Sequence, residues 1–199
     1  MGTLGSRGAG VTDYYGIEAR RVDMIVSTMS NAWASAGGFC AGSMHVVDHQ
    51  RLSGAAYCFS ASLPAMLAVG AHEAINVIEK EPEMVTRLHE NVRYFHQLVK
   101  EYLMGKFEIE GDGDSPVVHL RVNGEEDRIK RIVDECAENG YLVTVAKYSE
   151  QERIKRRKSI RIAISGGHSF EQIKGFVECL SKIEPSKIEL PKIEIAKIE

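Results

Sequence analysis

Apolar residues follow two different spacings along this chain, and the change falls near Pro64. Before Pro64 the sequence is rich in Gly, Ala and Ser and shows little helical periodicity. Such a composition predicts tight turns and buried strands. The apolar segment DMIVST predicts one strand, and Gly37, Gly38 and Gly42 bracket a second strand around Phe39.

Two helices are predicted between residues 64 and 105. Proline is favourable in the first turn of a helix, so the first helix begins at Pro64, and Pro82 ends it. Its apolar positions are Met66, Leu67, Val69, Ile75 and Ile78. The second helix ends at Gly105, and its apolar residues recur at alternating three- and four-residue intervals along one side. These residues are Val85, Leu88, Val92, Phe95, Val99 and Tyr102.

After residue 105 short strands and helices alternate. Alternating apolar residues predict strands near 118–122 and 159–164, and a further strand is predicted over 141–146. Helical spacing predicts a helix over 129–136 that ends near Asn139 and Gly140. Ser169 begins a last helix, and Gln172, three residues further on, completes a capping box. The order β-α-β-β-α is typical of a compact two-layer unit.

These patterns predict three regions. A boundary near residue 105 separates a first region, residues 1–105, from a small α+β domain, residues 106–182. Residues 183–199 continue a five-residue repeat, KIEPS, KIELP, KIEIA and KIE, which matches neither the helical nor the strand period. We expect this tail to be a low-complexity extension without a fixed fold.

The composition of the chain argues against several classes of function. The 199 residues are 44% hydrophobic and carry a net charge of −3, which argues against binding nucleic acid through overall charge. No apolar run approaches the roughly 18 residues of a membrane span. The four cysteines form no CxxC pair and the seven histidines show no metal-ligand spacing, so no metal site is predicted. We expect the cysteines to be small buried side chains.

Four segments together resemble one enzyme family. They are LGSRGAGVTDYYGI, STMSNAWASAGGFCAG, DHQRLSGAAYCFSASLP and SIRIAISGGHS, in that order along the chain. The resemblance, over about residues 2–180, is to the α-oxoamine synthases, which are pyridoxal phosphate enzymes of the aspartate aminotransferase fold (fold type I). It implies that residues 1–105 are the carboxyl-terminal part of the large α/β domain of that fold and that residues 106–182 are its carboxyl-terminal α+β small domain.

The segment DHQRLSG followed by YCFSASLP resembles one branch, the non-catalytic subunits of serine palmitoyltransferase. This resemblance implies a heterodimer with a catalytic subunit that binds most of the pyridoxal 5'-phosphate. The substrates implied for the complex are serine and palmitoyl-CoA, joined to 3-ketosphinganine in the first step of sphingolipid synthesis. The implied location is the cytosolic face of the endoplasmic reticulum membrane. A family member extends further toward its amino terminus, so we expect this chain to correspond to the carboxyl-terminal part.

Catalytic relatives hold the cofactor through a lysine in a TxxK pattern, and here the four residues are Thr28, Met29, Ser30 and Asn31. A carboxamide nitrogen is too weak a nucleophile to replace that lysine. Lys80 is the first lysine in the chain, so none lies near enough in sequence to substitute. The resemblance therefore implies that this chain has no catalytic residue, because Asn31 occupies the position of the lysine. Thr28 matches a hydroxyl that contacts the cofactor phosphate, with an ordinary turn threonine as the alternative.

Three further residues match binding positions of the family. Ser60 and Ala61 match a stretch that reaches the partner's cofactor phosphate, although serines at 60 and 62 also suit the cap of the helix at Pro64. Arg161 matches the arginine that binds the amino-acid carboxylate. Alternation places Arg161 opposite its isoleucine neighbours, and a solvated strand arginine is the alternative. The remaining alternatives for the whole chain are a non-enzymatic scaffold and an active homodimeric synthase.

Overall fold

The computed structural model describes residues 1–111, 113–122, 126–149, 151 and 158–183. Contacts between residues group the chain into two compact units, the first comprising Met1–Leu88 and the second beginning at His89. This division falls inside a helix, whereas the domain boundary near residue 105 stays a prediction. The predicted tail lies outside the described residues from residue 184 onward.

The first unit contains an antiparallel pair of strands at the two places predicted. Strand β1 (Met24–Thr28) pairs with strand β2 (Gly38–Gly42), and Thr28 lies opposite Gly38. A 3-10 turn, Asn31–Trp33, lies in the connection between them. Neither strand is buried, contrary to the expectation for this region, and the Val26 side chain is 70% exposed.

Helices and 3-10 turns make up the rest of the first unit's regular structure. They are α1 (Val11–Tyr14), a 3-10 turn (Ala19–Arg21), α2 (Met44–Ser53), α3 (Ala55–Cys58) and α4 (Ala65–Lys80). Helix α4 confirms the prediction made from Pro64. Helix α2 corrects the expectation of turns and strands before Pro64: the Ser43 hydroxyl accepts a hydrogen bond from the Val46 N–H and caps this ten-residue helix. None of its residues is buried, so it lacks the apolar stripe by which helices are predicted.

A small apolar cluster holds the first unit together. Met29, Trp33 and Ala71 are buried, and partly buried neighbours pack against them from β2 and α4. The ring of Trp33 stacks on that of Phe39, with centroids 5.3 Å apart. Several large apolar side chains of this unit remain exposed, namely Val26, Met44, Leu52, Phe59, Met66 and Val69.

The second unit is a sheet with helices on one face. Helix α5 (Glu83–Tyr102) leads into it, and its other elements are β3 (Glu108–Glu110), β4 (Val117–Arg121), α6 (Glu126–Glu138), β5 (Thr144–Val145), β6 (Ser159–Ala163) and α7 (Phe170–Lys182). The strand order is β3-β4-β6-β5, and each neighbouring pair is antiparallel. Strand β3 was not predicted, and the predicted strand 141–146 is only two residues long.

Strand alternation in β6 agrees with the sequence prediction. Ile160, Ile162 and Ile164 are buried on the core face, whereas Arg161 is exposed. The core face is covered by buried residues of α6 and α7, which are Ile129, Ile132, Cys136, Ile173, Phe176, Val177 and Leu180. The predicted capping box of α7 is present, with Ser169 and Gln172 each bonding the other's backbone N–H.

The expectation of four buried cysteines is wrong for three of them. Cys136 is buried, Cys40 and Cys179 are partly exposed, and Cys58 is exposed. A helix long and apolar enough to cross a membrane is not found among the described residues.

Candidate functional site

Thr28 shapes the connection between β1 and β2. Its hydroxyl lies 2.7 Å from the Ser30 hydroxyl, accepts a hydrogen bond from the Ser30 N–H and donates to the Gly37 carbonyl. Thr28 is exposed, so a ligand has access to this hydroxyl. The hydroxyl already has internal partners, so the turn forms without a ligand.

Asn31, which the sequence predicts at the position of the family's lysine, begins the 3-10 turn that follows. Its φ of 62° is in the left-handed region, which asparagine tolerates better than most residues. Ala34 is also left-handed, and the buried Trp33 between them anchors the turn in the cluster. The Ser35 hydroxyl donates to the Leu67 carbonyl of α4 at 2.7 Å. Packing therefore holds Asn31 in a defined conformation.

Ser60 and Ala61 lie in the exposed segment between α3 and α4. The Ser60 hydroxyl donates to the Ala56 carbonyl of α3. Helix α4 has Pro64 as its N-cap and no side-chain cap, so the alternative in which the serines at 60 and 62 cap this helix is wrong. Both residues belong to the first unit, as Thr28 and Asn31 do, but to a separate segment.

Arg161 occupies the middle of β6 in the second unit. It lies opposite His119 of β4 on one side and Thr144 of β5 on the other. No carboxylate among the described residues forms an ion pair with Arg161. The nearby Arg121 differs, because Glu110 binds it at 2.6 Å and this hydrogen bond raises the pKa of Arg121 above its usual value.

Asn91 is a structural residue that the sequence analysis missed. This buried side chain on α5 donates from Nδ2 to the carbonyls of Ser165 and His168, both at 2.9 Å. The His168 Nδ1 in turn accepts a hydrogen bond from the Ser165 N–H. Asn91 thus fixes the turn after β6. The sequence feature that could have indicated Asn91 is its position as a polar residue beside Val92 in the apolar stripe of α5.

Ser159 is a second missed residue. It is fully buried two positions before Arg161, and its hydroxyl lies 2.9 Å from His119 Nδ1 and 3.0 Å from the Tyr148 hydroxyl. Strand alternation puts Ser159 on the same face of the sheet as Arg161. The polar face of the second unit is therefore ordered by hydrogen bonds around Arg161.

The residues of the first unit fit pyridoxal phosphate only in part. Exposed hydroxyls at Thr28 and Ser60 are suitable donors to a phosphate. Covalent attachment needs a primary amine, and the turn presents the carboxamide of Asn31 instead. Among the described residues, no group of three or more His, Cys, Asp or Glu side chains is placed to hold a metal ion.

Comparisons with known proteins place this arrangement in a family. Residues 3–180 match the family described as aminotransferase class I and II. The chain is 40% identical over 195 residues to Serine palmitoyltransferase 1 of Dictyostelium discoideum, covering 92% of this chain and 40% of that protein. It is 31% identical over 179 residues to Serine palmitoyltransferase 2 of the same organism, covering 87% and 35%.

A solved structure confirms the predicted fold. It is described as a high-resolution structure of SPT with PLP internal aldimine, and it matches with a TM-score of 0.79 at 24% identity. The match covers 91% of this chain and 44% of that one. The chain thus spans about two fifths of the length of these relatives. The predicted partial α/β fold is thus confirmed as the fold of pyridoxal phosphate-dependent enzymes. The chain belongs to the aminotransferase class I and II family.

Proposed function

We propose that this chain belongs to the non-catalytic subunit of serine palmitoyltransferase. The complex condenses serine with palmitoyl-CoA to 3-ketosphinganine in sphingolipid synthesis. The observation that carries the proposal is a difference within one organism: the chain is 40% identical to Serine palmitoyltransferase 1 and 31% identical to Serine palmitoyltransferase 2. Asn31 supports it, because the turn at this position presents a carboxamide and not an amine.

These residues suggest a separate role for each of the two subunits. A catalytic partner subunit supplies the lysine and most of the contacts to pyridoxal phosphate. Thr28, Ser60 and Ala61 add contacts to the cofactor phosphate, and Arg161 binds the carboxylate of serine. The complex is expected on the cytosolic face of the endoplasmic reticulum membrane.

A scaffold that only stabilises the catalytic partner is the second candidate. The hydroxyls of Thr28 and Ser60 already bond within the chain, to Ser30 and Gly37 and to Ala56, which favours this alternative. Ser60→Ala and Arg161→Ala in the assembled complex separate the two candidates. A reduced rate of condensation supports direct participation of these residues in binding, whereas an unchanged rate in both variants supports the scaffold.

Co-purification with a tagged catalytic subunit of serine palmitoyltransferase is the main test. A stable, near-equimolar complex is expected, and the absence of any complex contradicts the proposal. The rival activity, a homodimeric synthase, is tested by adding pyridoxal phosphate to the chain alone. No new visible absorbance band is expected, and Asn31→Lys is the matched variant that restores an amine. A band in the unaltered chain contradicts the non-catalytic assignment.

A further inference from the structure

A hydrogen-bonded group of three side chains lies beside Arg161. Ser159 at its centre is fully buried, and its hydroxyl reaches His119 Nδ1 at 2.9 Å and the Tyr148 hydroxyl at 3.0 Å. His119 and Ser159 come from the neighbouring strands β4 and β6, and Tyr148 follows β5. A buried hydroxyl with two side-chain partners orders its neighbours, because losing either bond leaves a desolvated polar atom.

The bond to Ser159 determines which histidine nitrogen faces a ligand. Nδ1 of His119 is engaged by Ser159, so among the residues that the structure describes Nε2 is the nitrogen left on the other edge of the ring. Nε2 carries a proton in the imidazolium and in one of the two neutral tautomers, and it donates a hydrogen bond in both forms. A serine hydroxyl that donates to Nδ1 selects that neutral tautomer.

The strand register brings this donor next to Arg161. His119 and Arg161 are directly opposite each other on β4 and β6, so their side chains share a face with Cβ atoms about 5 Å apart. Glu110, the cross-strand neighbour of His119 on β3, is bound by Arg121 at 2.6 Å. The Glu110 carboxylate is thereby occupied, so an external carboxylate can bind the pair formed by Arg161 and His119.

We propose that His119 and Arg161 bind the same carboxylate, that of an amino-acid substrate, and that Ser159 and Tyr148 are positioning residues for the His119 ring. The inference rests on the proposed function, in which Arg161 binds the carboxylate of serine. It adds a second donor to that site. A planar carboxylate accepts from the guanidinium with one oxygen and from His119 Nε2 with the other.

The test is nitrogen NMR on the full chain labelled with ¹⁵N in histidine and arginine side chains. Its probes are L-serine, acetate, which retains only the carboxylate, and ethanolamine, which is serine without the carboxylate. His119 is expected in the Nε2–H form, and its Nε2 and the Arg161 Nε are expected to shift with L-serine and acetate but not with ethanolamine. Arg161→Gln is expected to abolish the His119 shift, and Arg20→Gln, at an exposed arginine of the first unit, to leave it unchanged.

Two results would overturn the inference. If Arg161 shifts while His119 does not, or if His119 is in the Nδ1–H form, the second donor is wrong and the role proposed for Arg161 stands. If neither residue shifts, the carboxylate site is wrong as a whole. Assembly with the catalytic subunit, measured by co-purification, is independent of both results.

Positioning is tested by two variants with different folding risk. Tyr148→Phe removes one hydroxyl at the rim of the group, and Ser159→Ala removes the buried one. Both are expected to increase exchange between His119 tautomers in the NMR spectra. In the assembled complex His119→Asn is expected to raise the KM for serine about tenfold with little change in kcat, as for loss of a bond to a charged group. His119→Gln, which places an amide N–H near the Nε2 position, is expected to recover most of that loss.

Discussion

Asn91 offers a direct test of the fold around the candidate carboxylate site. Its Nδ2 donates to the carbonyls of Ser165 and His168, so the side chain joins α5 to the turn after β6. Asn91→Leu keeps a similar volume and removes both bonds. Asn91→Asp keeps the shape but replaces the donor with a second acceptor in a buried position.

The expected loss follows from two hydrogen bonds. Each contributes about 0.5–1.5 kcal/mol net, so together they stabilise the turn by about 1–3 kcal/mol. Leucine recovers roughly 0.5 kcal/mol through its better helix propensity. Asn91→Leu should therefore destabilise the second unit by about 1.5 kcal/mol. Asn91→Asp should destabilise it further, because a buried carboxylate would face two carbonyl oxygens.

Native-state hydrogen exchange is the suitable assay, since a chain with two compact units need not unfold in one step. A loss near 1.4 kcal/mol raises exchange about tenfold in peptides from β6 and α7. Asn76→Leu on α4 is the matched control. The Asn76 amide bonds His72 and Glu73 of its own helix at exposed positions, and a change in exchange rate below threefold is expected. The role of Asn91 is refuted if Asn91→Leu raises exchange no more than Asn76→Leu does, or if Asn91→Asp lowers stability no further than Asn91→Leu.

Three further predictions concern thiols, a close contact and a helix cap. At neutral pH maleimide should label the exposed Cys58 first and spare Cys136, since burial raises the pKa of Cys136 to about 12; early labelling of Cys136 in peptide mass spectra would contradict this. Gly175→Ala should lower thermal stability by about 1 kcal/mol, because the new Cβ would meet the Tyr141 hydroxyl at 2.5 Å. In a Tyr141→Leu background the same change should stabilise the fold by roughly 1 kcal/mol through helix propensity. If Gly175→Ala destabilises the fold in both backgrounds, the clash with Tyr141 is excluded as the cause. Ser169→Ala should cost about 1 kcal/mol in urea unfolding, with Ser169→Asp as the control that retains a cap.

Regular patterns made much of the second unit predictable. In α5 the apolar stripe that predicted the helix contains Val92, Phe95 and Val99, and all three are buried. In β6 the same logic predicted the exposure of Arg161. The strand predicted over 141–146 was too long because Tyr141 packs on Phe176 of α7 and Leu142 is 91% exposed.

The contacts that order the polar face could not be predicted in the same way. Asn91 and Ser165 are 74 residues apart, and His119 and Ser159 are 40 apart. Each partner by itself is an ordinary polar residue, and only the strand order and the position of α5 bring them together. The binding roles of Thr28, Ser60, Ala61 and Arg161 likewise stay predictions.

The exposed apolar side chains of the first unit bear on the fate of this chain in a cell. Phe59 is 89% exposed, Leu52 80% and Met66 77%, on a unit whose own buried cluster is small. Surfaces of this kind are what chaperones and proteases recognise in orphan subunits. The abundance of the chain should then follow the supply of whatever covers this surface. On the proposed heterodimer, its half-life in a pulse-chase experiment is expected to lengthen when the catalytic subunit is co-expressed, and degradation would then adjust the two subunits to equal amounts without transcriptional control.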